Sequence, residues 1–192
     1  MSRPPFRKIL IANRGEIAIR IARAAAALGV ASVAIHSQDD AASLHVRKAD
    51  EAHALPKSGV PAYLDAARIV ALAQETGCDA IHPGYGFLAE NAAFARAVAA
   101  AGITFVGPSA AALDLFGDKL KARELALNVD APVIQGAVVR DADEARAFFA
   151  IINAPIMLKA ISGGGGRGMR AVRRADEIAD AFARCASEAA SA

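Results

Sequence analysis

Residues 157–172 read MLKAISGGGGRGMRAV, with four consecutive glycines standing between Lys159 and Arg167. A glycine in regular structure costs about 0.5–1 kcal/mol relative to alanine, so a run of four needs a reason. One reason is chemical. Backbone N–H groups unobstructed by side chains can converge on phosphate oxygens, and cations at either edge add charge-assisted donors. A solvated hairpin turn with incidental charges would use the same residues. The apolar runs on both sides and the two bracketing cations favour the phosphate loop. The order GGGGRGM is not that of a Walker A loop, which needs GxxxxGK[ST].

Three further stretches carry residue types that could do chemistry. In IANRGEIAIR, the place where a dinucleotide-binding turn would put GxGxxG, only Gly15 is present. Arg14 and Glu16 occupy positions where close approach to a pyrophosphate needs small residues, so a nicotinamide or flavin site is not expected there. A surface ion pair between Arg14 and Glu16 is the plain alternative, worth at most about 1 kcal/mol. In IHPGYGFLAEN (81–91), Pro83, Gly84 and Gly86 punctuate a loop at the end of a predicted strand, where open α/β sheets place ligand crevices. Tyr85 and Glu90 are expected to point outward from it, whereas His82 reads as a satisfied core histidine. In FGDKLKARELA, Lys121 and Arg123 read as a solvated helix face, while Lys119, at the helix start after Gly117-Asp118, is placed to face a cleft.

These stretches need elements to hold them. Apolar runs at 8–13, 30–37, 51–56, 78–83 and 103–107 alternate with helical patterns over 16–29, 63–77 and 89–102. Strands alternating with helices predict an α/β domain with a parallel sheet covered on both faces. Ile17, Ile21, Ala24, Ala25 and Leu28 are expected to form the inward face of the first helix. Leu64, Ala67, Ile69, Val70 and Ala73 are expected to form that of the second. Beyond residue 107 the rhythm changes. Two successive helices follow, then a helix over 141–152 opened by Asp141 and Asp143, where carboxylates complement the helix dipole. Two strands around the glycines and a last helix suggest a small α+β lobe that reads as incomplete. The expected division is 1–115, a helical linker 116–130, and 131–192.

Bulk composition narrows the function classes. At 55% hydrophobic and 22% charged, with a net charge of +2, the 192 residues can bury a core but present no basic footprint for nucleic acid. No apolar run reaches the roughly 20 residues that span a bilayer, and the N-terminal apolar stretch is too short for a secretory signal. Cys78 and Cys185 form no CxxC, so a reduced, cytoplasmic protein is expected.

Taken in order, ANRGEIAIRIARA, IHPGYGFLAEN, FVGPS…GDK and LKAISGGGGRGMR resemble the biotin carboxylase family of ATP-grasp enzymes, from about Arg7 to the end. The resemblance implies a pre-ATP-grasp (Rossmann-like) first domain followed by the start of an ATP-grasp lobe. It implies ATP-dependent carboxylation, by bicarbonate through carboxyphosphate, of biotin borne on a carrier domain or protein. Lys119 and Lys159 match phosphate contacts, Gly163, Gly164, Gly165 and Gly166 the loop over ATP, and Met169 an apolar contact to adenine. Tyr85 and Gly86 match positions lining the biotin ureido site, and Arg23 matches a homodimer-interface position. The partners implied are the carrier, a carboxyltransferase component that sets the final acceptor, and a second copy of the chain.

Two departures stand out: Asp130 and Ala131 occupy a turn that usually reads GVP, and no aromatic precedes Pro155. Nothing matches the family's magnesium-binding glutamates, catalytic base or bicarbonate-binding arginine, so no catalytic or metal residue is assigned and magnesium is expected from a further lobe. The 192-residue chain by itself is therefore expected to fold its first domain, to bind ATP weakly or not at all, and to lack carboxylation activity. The rival readings are another ATP-grasp ligase, such as half of a carbamoyl-phosphate synthetase, and a non-catalytic dimerisation or regulatory module.

Overall fold

The computed structural model describes residues 6–160 and 168–190. It divides into two compact units, Met1–Ala122 and Arg123–Ala192.

The first unit is built on five strands: β1 (Lys8–Ile11), β2 (Ala31–His36), β3 (Glu51–Ala54), β4 (Ala80–His82) and β5 (Thr104–Phe105). All pair in parallel in the order β3-β2-β1-β4-β5. Helices α1 (Gly15–Ala27), the short α2 (Val60–Tyr63), α3 (Ala66–Glu75), α4 (Ala92–Ala100), α5 (Ala110–Gly117) and α6 (Lys119–Asn128) complete the series, and the boundary between the units falls inside α6. Residues alternate along β1, as a strand covered on both faces requires. Leu10 joins Val33, Ile35, Ile69, Leu72, Phe94 and Val98 in the larger core. Ile9 and Ile11 turn the other way, onto Ala18, Ile21, Ala22 and Ala25 of α1.

The helix faces differ from the expected ones. On α1 the buried set is Ala18, Ile21, Ala22 and Ala25, while Ala24 and Leu28 are exposed. Leu28 follows the last helical turn, as its C-cap, and so leaves the inward stripe. Leu64 lies in the turn between α2 and α3 and is exposed, as is Ala67; Ile69, Leu72 and Ala73 form the buried face instead. Asp65 ends that turn as the N-cap of α3, accepting the Arg68 N–H at 3.1 Å.

Two histidines are set into this unit in neutral form. His45 is 2% exposed; its Nε2 donates to the Ile35 carbonyl at 3.1 Å, and its Nδ1 finds no partner among the described residues. Burial holds its pKa below the usual imidazole value, against the pull of the Ile35 carbonyl and Asp40. His82 is shifted the same way by burial, and its Nδ1 accepts the Gly84 N–H at 3.0 Å. Below pH 6.5 the unfolded chain takes up protons that the folded chain refuses. Stability is therefore complete above that value and is lost as pH falls towards the depressed folded values. We expect the unfolding free energy from urea denaturation to fall between pH 7.5 and 5.5, by up to about 1.4 kcal/mol per pH unit below 6.5 for His45 alone. His45→Gln should flatten the slope; an unchanged slope would remove His45 from the account.

The second unit contains α7 (Ala142–Ile152), the antiparallel pair β6 (Ile156–Lys159) and β7 (Met169–Val172), and α8 (Ile178–Ala190). Asp141 caps α7, accepting the N–H groups of Asp143 and Glu144 at 2.9 and 2.8 Å. Asn153 ends the helix in the left-handed region, φ 49°. The small core consists of Ala145, Leu158, Val172, Ile178, Ala181 and Cys185. Both cysteines are buried free thiols whose pKa is raised by burial. Among the described residues no helix is long and apolar enough to cross a membrane.

Candidate functional site

In an open parallel sheet a crevice forms where the strand order reverses. Here β1 runs between β2 and β4, and the chain leaves its C-terminal end for α1 while the 81–91 loop leaves the adjacent end of β4. Residues 13–17 and 85–87 line a cleft of about 340 Å³ at that point. Two of the stretches singled out in the sequence, NRGE and HPGYGF, are therefore the two walls of one site.

Asn13 joins the walls. It is 3% exposed; its Nδ2 donates to the carbonyls of Pro83 at 2.7 Å and Tyr85 at 2.9 Å, and its Oδ1 accepts the Arg14 N–H at 2.9 Å. Gly84 lies so close that a Cβ there would stand 2.6 Å from Asn13 Nδ2, and its φ is +67°. Gly86 shares that φ but faces open space. Phe87 follows at φ 44°, uncommon for a residue with a side chain, and stacks on Tyr63 with centroids 5.2 Å apart. A strained backbone beside a cleft is where functional constraint commonly accumulates.

The structure removes one alternative here. Arg14 and Glu16 do not pair with each other. Glu16 Oε1 accepts the Tyr85 hydroxyl at 2.8 Å, and Tyr85 is 62% exposed in the cleft wall. Arg14 instead lies 3.7 Å from Asp40 Oδ2 and 5.9 Å from the centre of the Tyr63 ring. Asp40 accepts the Tyr63 hydroxyl at 2.7 Å and the Ser43 hydroxyl at 3.1 Å. Burial pushes the Asp40 carboxyl up, but the Tyr63 and Ser43 hydroxyls and Arg14 more than offset it and hold the pKa below the usual range. Tyr63, buried above all, is pushed up to about 12. Arg14 is thus a cation anchored over a buried phenol, with its direction set by Asp40. Sequence reasoning missed Asn13, Asp40 and Tyr63; the side-chain oxygen of an Asn directly after a strand was the one local signal available for the first.

The remaining site expectations fall out as follows. Glu90 is exposed on the same loop, and His82 is the satisfied histidine it was read to be. Lys119 opens α6 and is exposed, next to Asp118, whose Oδ1 accepts the Leu120 and Lys121 N–H groups. Arg23 lies with Arg20 and Glu16 along an outer hollow of α1. Gly163, Gly164, Gly165 and Gly166 lie outside the described residues.

In the second unit, Lys159 and Met169 are direct cross-strand partners, so their side chains share one face of the β6–β7 pair. Leu158, one residue earlier, is buried towards α8, where Cys185 Sγ approaches its carbonyl at 3.9 Å. Lys159 and Met169 are both exposed, on the face that α8 does not cover. A cation and a thioether side by side on an open sheet face, where the glycine stretch begins and ends, can meet a phosphate and an apolar ring respectively. Glu188 of α8 accepts the Gly168 N–H at 2.9 Å and pairs with Arg170. These contacts, the Gly168 N–H first, hold its pKa below the ordinary value against partial burial.

Comparison with known proteins agrees with both halves. The family described as "Biotin carboxylase, N-terminal domain" matches residues 5–113, more than half of the chain. The chain belongs to the biotin carboxylase family. Residues 118–192 match "Carbamoyl-phosphate synthase L chain, ATP binding domain". Pyruvate carboxylase of Staphylococcus aureus is 51% identical over 188 residues, covering 96% of this chain and 16% of that protein. The 2-oxoglutarate carboxylase small subunit of Hydrogenobacter thermophilus is 43% identical over 189 residues, covering 97% of this chain and 40% of its own length. This biotin carboxylase chain thus spans under half the length of the curated relatives it matches. Among solved structures, the biotin carboxylase domain dimer of the Hydrogenobacter thermophilus enzyme, in complex with MgADP, ADP and bicarbonate, superposes with a TM-score of 0.92 at 43% identity, over 97% of this chain and 42% of that one. Biotin carboxylase of Campylobacter jejuni, in a β,γ-ATP complex, gives 0.93 at 38% identity, over 97% and 42% respectively.

Proposed function

We propose that this chain is the N-terminal part of a biotin carboxylase that uses ATP and bicarbonate to carboxylate biotin held on a carrier domain. The observation that carries the reading is the cross-strand pair Lys159 and Met169, exposed on the uncovered face of the strands that enter and leave the glycine stretch. Bound ATP would supply the phosphoryl group that activates bicarbonate, and biotin the nitrogen that receives the carboxyl.

The residues fit those groups. Lys159 presents three N–H donors to phosphate, and Met169 beside it offers a polarizable apolar surface suited to an aromatic base. Lys119, in the first unit, carries a cation suited to phosphate, and Gly163–Gly166 would supply backbone donors. In the first unit, Tyr85 and Gly86 form the wall against which the biotin ureido ring would rest. Asn13 holds the carbonyls of that wall and Glu16 holds the Tyr85 hydroxyl. Arg23 would lie in a homodimer interface, and a carboxyltransferase would take the carboxyl onward. The division into 1–115, a linker 116–130 and 131–192 would then separate the first domain from the start of the ATP-grasp lobe.

The test is ATP hydrolysis by the intact protein that contains this chain. We expect turnover that requires bicarbonate and rises with free biotin. Turnover that requires ammonia or glutamine and ignores biotin would support the carbamoyl-phosphate synthetase reading instead.

A further inference from the structure

Lys159 and Met169 can meet one ligand only while the open end of their strand pair keeps its register, and that end has an unusual fastening. The ladder continues one step past the pair, with the Ala160 N–H donating to the Gly168 carbonyl at 2.8 Å. Gly168 has φ +68°, and a Cβ on it would meet Ala160 Cβ at 3.0 Å, so no other residue fits there without movement. Its own N–H is taken by Glu188 Oε2 of α8 at 2.9 Å. The other oxygen of the same carboxylate pairs with the Arg170 guanidinium, which also donates to the Met169 carbonyl at 2.8 Å. One carboxylate on α8 therefore grips the chain on both sides of Met169.

We propose that Glu188 is a positioning residue for the nucleotide, clamping Gly168 and Arg170 so that Lys159 and Met169 stay opposed; this rests on the ATP reading above. The fold does not depend on the clamp. The core of the unit is supplied by Leu158, Val172, Ile178 and Cys185, whereas the Glu188–Arg170 pair is partly exposed. Pairs of that kind contribute little to stability. The effect of removing Glu188 belongs in nucleotide affinity.

Intact carboxylase carrying Glu188→Ala, assayed by bicarbonate-dependent ATP hydrolysis, should show KM for ATP raised about five- to tenfold with KM for bicarbonate within about twofold. Its melting temperature should stay close to that of the parent. Glu188→Gln keeps an oxygen for the Gly168 N–H and should recover most of the affinity. A raised melting loss with unchanged KM for ATP, or equal effects on both KM values, would overturn the proposal. Hydrogen exchange at the Gly168 amide reads the clamp without turnover. It should be slow in the parent and at least about tenfold faster in Glu188→Ala, with mid-α8 amides unchanged. Fast exchange in the parent would also overturn the clamp, even if Glu188→Ala proved too unstable to assay. A parent without ATP turnover would instead refute the nucleotide reading while leaving the clamp to the exchange result.

Discussion

Alanine at position 84 is expected to destabilise the first unit by about 3 kcal/mol, through left-handed backbone strain and overpacking against a buried side chain. The added methyl would stand 2.6 Å from Asn13 Nδ2 at φ +67°. Asn13→Ala should cost about 2–3 kcal/mol, because it strips the donor from the Pro83 and Tyr85 carbonyls. The two changes should not add. With Asn13 shortened only its Cβ, 3.2 Å away, still crowds the added methyl, and Gly84→Ala should then cost about 1–2 kcal/mol, mostly backbone strain. Urea denaturation of the four proteins closes this double-mutant cycle. Additive costs would mean that Asn13 does not hold the loop. The same loop carries Tyr85 and Gly86, so both single variants should lower biotin-stimulated turnover before they lower bicarbonate-dependent hydrolysis.

Lys159→Gln is expected to lower kcat/KM for ATP in the intact enzyme roughly 30- to 100-fold, the loss of one charge-assisted hydrogen bond of about 2–3 kcal/mol. Lys121→Gln removes the same charge from α6, where Lys121 lies 3.8 Å from Asp118 on an exposed surface, and should stay within about twofold. The pair separates a specific contact from a general change in net charge. Equal effects from the two, or none from Lys159→Gln, would end the assignment of β6 to the nucleotide.

What could be read in the sequence was what leaves a periodic or punctuated trace. Alternating apolar runs and helical stripes predicted the parallel sheet, and the glycines of HPGYGF marked a loop at a strand end. The start of α7 was legible from its carboxylates because helix-end signals are local, though the capping role of Asp141 came only with the structure. The polar fastenings were not. Asn13 finds its partners seventy residues on, and Glu188 reaches back twenty to Gly168. Tyr63, Asp40 and Arg14 likewise come from three separate segments. No spacing rule links such residues; only the strand order brings them together. The errors on the helix faces have a different cause. Leu28 and Leu64 are more hydrophobic than alanine but fall where the helix has ended or not yet begun.

The inward side of α1 is Ala18, Ala22 and Ala25 with a single large residue, Ile21. Methyl groups allow a helix axis to approach a sheet more closely than branched side chains do, and α1 begins with the residues that form one wall of the cleft. The helix therefore behaves as a short lever pressed flat against its support. A bulkier residue at Ala22, two turns from the cleft and touching no ligand, would tilt that lever and shift Arg14 and Glu16 at its tip. Loss of ligand binding from so remote a position would trace to the thinness of the layer beneath.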